Sequence, residues 1–141
     1  MPEKHPEQMS NQRVLTGKIV SGAGEAAYFT GLDWVQKQCD EKLNFKPYPG
    51  TLNIEVDEIS LPALRELQKE RGIELLSPDP GFCNARSLPA FLTNVGGAII
   101  IPDEEVNIHG KNIVEMIAPV SLKETLSLHD GDRITLIVTA P

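Results

Sequence analysis

The sequence predicts a mainly β domain closed into a small six-stranded barrel. Three observations carry this: six or so short segments rich in alternating or β-branched apolar residues, only two or three brief segments with helical spacing, and turn residues at most boundaries. A small open sheet would present unpaired edges, and closure into a barrel removes them. At 141 residues the chain is long enough for one core and short for two. The expected organisation is a frayed polar tail over residues 1–12, then a single barrel domain over 13–141.

Val14 to Val20 forms the first expected strand, which ends at Ser21-Gly22-Ala23-Gly24-Glu25, where two glycines permit unusual backbone angles. Leu32, Val35, Cys39 and Leu43 recur at helical spacing with Asp33 near the start, which predicts a helix from Asp33 to Leu43. The helix stops before Phe45-Lys46-Pro47-Tyr48-Pro49-Gly50, where two prolines force extended backbone and Gly50 offers a turn. From Thr51 to Asp57 the period is two: Leu52, Ile54 and Val56 face one side, while Thr51, Asn53, Glu55 and Asp57 face the other.

Ser60 as an N-cap, Pro62 in the first turn, Leu61, Leu64 and Leu67 on one face and Gly72 as a stop predict a helix from Leu61 to Arg71. Strands are expected at Ile73 to Leu76, Phe82 to Leu92, Gly97 to Ile101, Ile113 to Ala118 and Arg133 to Thr139, with Pro89 marking an edge or bulge. Ser77-Pro78-Asp79-Pro80-Gly81 reads as a tight turn within the domain. Ser121-Leu122-Lys123-Glu124 matches a capping box and predicts a short helix to about Ser127.

The net charge of −7, from 13 basic and 20 acidic residues, opposes approach to nucleic-acid backbones and anionic membrane surfaces. No apolar run reaches membrane-spanning length, and the polar first dozen residues lack the pattern of a secretion signal, so a cytoplasmic location is expected. Cys39 and Cys83 lack metal-ligand spacing and read as free, largely buried thiols. His5, His109 and His129 are scattered among polar segments without a nucleophile partner, so none is assigned a catalytic role.

Nucleotide-binding signatures of the GxxxxGK[ST] and GxGxxG kinds are missing. The glycine-rich turn after the first strand can offer backbone N–H groups to phosphate, or can simply be a loop that needs positive φ. Thr51 and Asn53, two apart on a strand, point their oxygens the same way and suit the oxygen shell of magnesium; a solvated polar face is the alternative. Glu115 projects opposite Val114 and Met116, where it either meets a ligand hydroxyl or faces water. Trp34 and Phe45 are expected in the core, with stacking of an aromatic near the opening on a flat ligand as the alternative.

Several separated segments, in order, resemble the archaeal CTP-dependent riboflavin kinase family. They are Gly17-Lys18-Ile19-Val20-Ser21-Gly22-Ala23-Gly24-Glu25-Ala26-Ala27-Tyr28-Phe29, Phe45-Lys46-Pro47-Tyr48-Pro49-Gly50-Thr51-Leu52-Asn53, and Gly97-Ala98-Ile99-Ile100-Ile101-Pro102. Glu115-Met116-Ile117-Ala118-Pro119-Val120-Ser121-Leu122-Lys123 and Leu128-His129-Asp130-Gly131-Asp132 continue the resemblance, whereas Ile59 to Asn94 matches less well.

The resemblance implies a cradle-loop barrel similar to riboflavin synthase and translation-factor barrels, and transfer of the γ-phosphoryl group of CTP to the riboflavin 5′-hydroxyl, giving FMN and CDP. It also implies that Ala23, Gly24, Glu25, Ala26, Ala27 and Tyr28, with Pro119, Val120, Ser121, Leu122 and Lys123, enclose the nucleotide. By the same resemblance Thr51 and Asn53 hold Mg²⁺, and Asn107 and Glu115 contact the flavin. No catalytic base is indicated, and a monomer is expected.

Ala26 stands where the family usually has Gly, Asn107 where Thr is usual, and Lys123 where Arg is common. Lysine keeps the charge but loses the bidentate fork. Two alternatives stay open: a flavin- or nucleotide-binding module of the same fold without turnover, and a swapped-hairpin DNA-binding regulator resembling Leu126 to Leu136, against which the acidic charge weighs.

Overall fold

The computed structural model describes residues 12–22, 29–78, 84–102 and 112–139. Seven strands are present among them: β1 (Gln12–Val20), β2 (Leu52–Val56), β3 (Ile73–Leu75), β4 (Ala85–Leu92), β5 (Val95–Pro102), β6 (Ile113–Ile117) and β7 (Arg133–Thr139). The helices are α1 (Asp33–Leu43), α2 (Leu61–Gln68), entered through a 3-10 turn at Glu58–Ser60, and α3 (Leu122–Leu126). The helix at Asp33–Leu43 covers the residues that its apolar spacing predicts, and Asn44 ends it in the left-handed region at φ 65°.

The strands pair antiparallel in the order β3-β4-β5-β6-β2-β1-β7, and β4 pairs again with β7. That last pairing closes six strands into a barrel, as expected, and leaves β3 as a seventh strand on the outside of the ring. β4 serves two partners along one edge: Ala85 to Ser87 face β3, whereas Ala90 to Leu92 face β7. Pro89 falls between these two stretches, so its missing N–H costs neither ladder a bond.

Inward residues of every barrel strand, including Leu15, Ile54, Leu88, Ile99, Met116 and Leu136, form one buried core. A second cluster lies outside the sheet, where Val35 and Cys39 of α1 cover Leu75, Ala98 and Ile117, with Trp34 and Phe45 at its margin. Both aromatics are therefore part of an apolar cluster, as their sequence context predicts. Gly97 permits close approach of β5 and β6, because a Cβ there would run into the Ile117 carbonyl.

Two local expectations are corrected. Ser60 is not a side-chain N-cap; it is buried and its Oγ accepts from the Thr16 N–H at 3.0 Å, tying the 3-10 turn to β1. A bond to another strand satisfies the hydroxyl better than a helix end that is already continued backwards by the 3-10 turn. The first strand also starts earlier than Val14, since Gln12 pairs with Thr139 of β7. No helix among the described residues is long and apolar enough to cross a membrane.

Candidate functional site

One wall of a cleft is made by Tyr48 to Leu52, the extended segment that leads into β2. Its path is set by side chains from α1 and its approach: Gln36 Nε2 donates to the Pro47 carbonyl at 3.0 Å, and the Gly50 N–H donates to Thr30 Oγ1 at 2.8 Å. The Tyr48 N–H donates to the Ala118 carbonyl at 2.8 Å, so this wall is fastened to the end of β6. The other wall is Val120 to Lys123, and Met116 and Ala118 lie between them. Ser121 Oγ accepts from the Glu124 N–H at 3.2 Å, which caps α3 as its sequence predicts.

The cleft encloses about 180 Å³. That is below the roughly 300–1,000 Å³ of pockets that engulf a small molecule. Of the five residues expected on this side of the nucleotide, Val120, Ser121, Leu122 and Lys123 line the cleft; Pro119 is exposed and is not among the lining residues. Tyr48, about half exposed, is a lining residue that the sequence reading did not single out. Its signal was available, as an aromatic held between two prolines immediately before the polar strand face.

Next to the cleft, three oxygen-bearing side chains share the outer face of the sheet. Leu52, Ile54 and Val56 are buried, which leaves Thr51 and Asn53 on the opposite side of β2. Asn53 stands across from Glu115 in the β2–β6 register, and Thr51 Oγ1 donates to Glu115 Oε1 at 3.3 Å. Val114 and Met116 point inward, so Glu115 faces outward as its position in β6 requires. Val20 pairs with Asn53, and Gly22 beyond it lies so close that a Cβ would collide with the Asn53 carboxamide.

This arrangement fits a hard cation. Magnesium favours oxygen ligands and keeps most of its shell for phosphate and water, and the hydroxyl of Thr51 and the carboxamide oxygen of Asn53 are donors of that chemical kind, on the same face as the Glu115 carboxylate. No group of three or more His, Cys, Asp or Glu residues able to hold a metal occurs among the described residues.

The cation of the cleft, Lys123, is paired. Its Nζ donates to Asp130 Oδ1 at 2.9 Å, and Asp130 Oδ2 accepts from Ser21 Oγ at 2.5 Å. The Ser21 hydroxyl and the Lys123 ammonium together hold the Asp130 carboxyl below the ordinary value of 3.8. It is ionised at neutral pH.

The chain matches the family model CTP-dep_RFKase, described as a domain of unknown function, DUF120, over residues 19–138. The chain belongs to the CTP-dependent riboflavin kinase family. Among curated relatives, "Riboflavin kinase" of Pyrobaculum islandicum is 38% identical over 129 residues, covering 86% of this chain and 58% of the relative. "Riboflavin kinase" of Thermoplasma acidophilum is 37% identical over 133 residues, 92% of this chain and 59% of the relative. That of Methanocella arvoryzae is 39% identical over 121 residues, 86% of this chain and 55% of the relative. The chain thus spans well under two thirds of the length of these riboflavin kinases.

The match to the CTP-dependent riboflavin kinase family takes in both walls of the cleft and the Thr51, Asn53 and Glu115 face. Residues 23–28, expected at the nucleotide, and Asn107, expected at the flavin, lie outside the described residues, as do Cys83, His5 and His109. The sequence reading missed Asp130 as a partner of two site segments. It sits in a Leu-His-Asp-Gly-Asp run that reads locally as a turn before a strand.

Proposed function

We propose that this chain carries the activity of a CTP-dependent riboflavin kinase: it transfers the γ-phosphoryl group of CTP to the riboflavin 5′-hydroxyl, giving FMN and CDP. One observation carries the reading beyond kinship, namely that the cleft between Tyr48–Leu52 and Val120–Lys123 opens beside the outward face bearing Thr51, Asn53 and Glu115. Phosphoryl transfer requires little covalent chemistry of the protein; it requires alignment and neutralised phosphate charge.

In this reading Val120 to Lys123 and residues 23–28 hold the cytidine nucleotide, with Lys123 as the cationic contact. Thr51 and Asn53 hold Mg²⁺, which when bound neutralises phosphate oxygens and fixes their orientation. Glu115 accepts a hydrogen bond from a flavin hydroxyl, and Asn107 completes the flavin contact. Thr51 links the two halves, since its hydroxyl already bonds Glu115. The domain boundaries, monomeric state and cytoplasmic location expected from the sequence belong to the same proposal, as does the absence of a nucleic-acid partner.

The test is chromatographic detection of FMN after incubation of the purified chain with riboflavin, magnesium and either CTP or ATP. FMN with CTP and not with ATP is the expected result. CDP binding without FMN from either donor would replace the kinase with a nucleotide-binding module of the same fold.

A further inference from the structure

Ser21 and Lys123 lie on segments far apart in sequence, yet one side chain holds both. Asp130 accepts from Ser21 Oγ with one oxygen and from Lys123 Nζ with the other. The turn that carries Asp130 is itself fixed to β1: the Gly131 N–H donates to the Ile19 carbonyl at 2.7 Å, and the Ile19 N–H donates to the Asp132 carbonyl at 2.9 Å. Ser21 follows β1 directly and precedes Gly22, which abuts the Asn53 carboxamide. Lys123 lines the cleft. An unbroken series of contacts therefore runs from Lys123 through Asp130 and the Ser21–Gly22 backbone to Asn53.

Two physical points argue that this series serves binding rather than folding. The Lys123–Asp130 pair is half-exposed, with side chains 46% and 48% accessible, and exposed pairs of this kind add little to stability. A carboxylate beside an anion site also lowers the positive potential that attracts phosphate, so its presence there needs a compensating role. Holding a four-carbon lysine in one place supplies that role, because a free lysine loses rotamer entropy when it binds a phosphate and a pre-positioned one has already lost it. The ammonium has three donors, so it can keep Asp130 and still reach a phosphate oxygen.

We propose that Asp130 is a positioning residue of the nucleotide site, which aims Lys123 into the cleft and holds the Ser21–Gly22 end of β1 against Asn53, so that the cationic wall and the metal-holding strand keep a constant spacing. The proposal rests on the phosphoryl-transfer reading of this site. Asp130 acts through Ser21 and Lys123 and touches no substrate.

The experiment compares the full chain with Asp130→Ala, Asp130→Asn, Lys123→Ala and the Asp130→Ala/Lys123→Ala double variant. Its measurements are CDP affinity by calorimetry with magnesium, KM for CTP and for riboflavin, kcat, and the thermal midpoint. Asp130→Ala is expected to weaken CDP binding and raise the CTP KM about tenfold, the scale of one charge-assisted contact, with the riboflavin KM unmoved. Asp130→Asn, which still accepts from Ser21, is expected to fall between Asp130→Ala and the parent chain. In the Lys123→Ala background the Asp130 effect is expected to shrink to about twofold, because partners in one network are non-additive.

Unchanged or tighter CDP binding by Asp130→Ala, beside normal binding by the parent chain, would overturn the proposal. So would equal weakening of both substrates together with a fall in thermal midpoint, which is the signature of a merely structural turn. A parent chain that neither binds CDP nor forms FMN would instead overturn the phosphoryl-transfer reading, and this proposal with it.

Discussion

Asn53 of β2 and Glu115 of β6 stand directly opposite each other on the outer face of the barrel, and Thr51 reaches the same carboxylate with its hydroxyl. The pairing brings a carboxamide, a hydroxyl and a carboxylate together on two neighbouring strands, beside the cleft. If this face holds magnesium, Thr51→Ala combined with Asn53→Ala will lower magnesium-dependent FMN formation by at least about a hundredfold, the scale of losing metal-assisted charge neutralisation. The thermal midpoint should stay within a few degrees, since neither side chain belongs to a buried core. Undiminished turnover in the double variant would refute the metal assignment.

Glu115 is exposed and bonded to Thr51, so neutralising it tests the flavin contact separately. Glu115→Gln should raise the riboflavin KM about tenfold, as expected for weakening a hydrogen bond to a charged acceptor, while the CTP KM changes little. An effect on CTP alone would reassign Glu115 to the nucleotide side.

Gly22 has no room for a side chain against Asn53. Gly22→Ala should push the carboxamide aside, raising the magnesium concentration needed for half-maximal turnover with only a small loss of stability, because Asn53 is a flexible and partly exposed neighbour. A magnesium titration that superimposes on that of the parent chain would show that Asn53 is not a ligand.

Asp57 joins β7 to the segment after β2, accepting from Arg133 and, at 2.9 Å, from Thr16 Oγ1. The Arg133 bond first and the Thr16 bond second hold its carboxyl below the ordinary 3.8. A carboxyl whose folded pKa is lowered stabilises the fold above its unfolded pKa and loses that contribution as pH falls through the folded value. The difference in thermal midpoint between the parent chain and Asp57→Asn should therefore be full at pH 6 and shrink below pH 3.8. A difference constant with pH would mean that the carboxylate charge contributes nothing.

Burial under α1 pushes the Cys39 thiol up to about 11 from its ordinary 9.0. The folded chain then keeps a proton that the unfolded chain releases, so stability is unaffected below pH 9.0 and declines between 9.0 and about 11. In the native chain Cys39 should resist alkylation at neutral pH and react at an ordinary rate in denaturant. Rapid native labelling at this position, mapped by mass spectrometry, would contradict its placement in the second cluster.

Local chemistry was legible where it depends on neighbours in sequence. The α1 helix follows from apolar residues at helical spacing, β2 from strict alternation, and the α3 cap from a serine three residues before a glutamate. The same alternation sets Thr51, Asn53 and Glu115 opposite the buried residues. A serine before a helical stretch has the local pattern of a cap, whereas the Ser60 hydroxyl meets Thr16, forty-four residues away.

What the sequence by itself determined, then, is each element's period and the face on which each polar side chain emerges, because these follow from backbone geometry repeated every two or 3.6 residues. Only the tertiary structure decided which faces meet: that β4 divides its edge between β3 and β7, that Asn53 stands opposite Glu115, and that Asp130 binds both Ser21 and Lys123. Those relations depend on strand register and barrel closure, and register is selected by the sum of core contacts rather than by any local residue pattern.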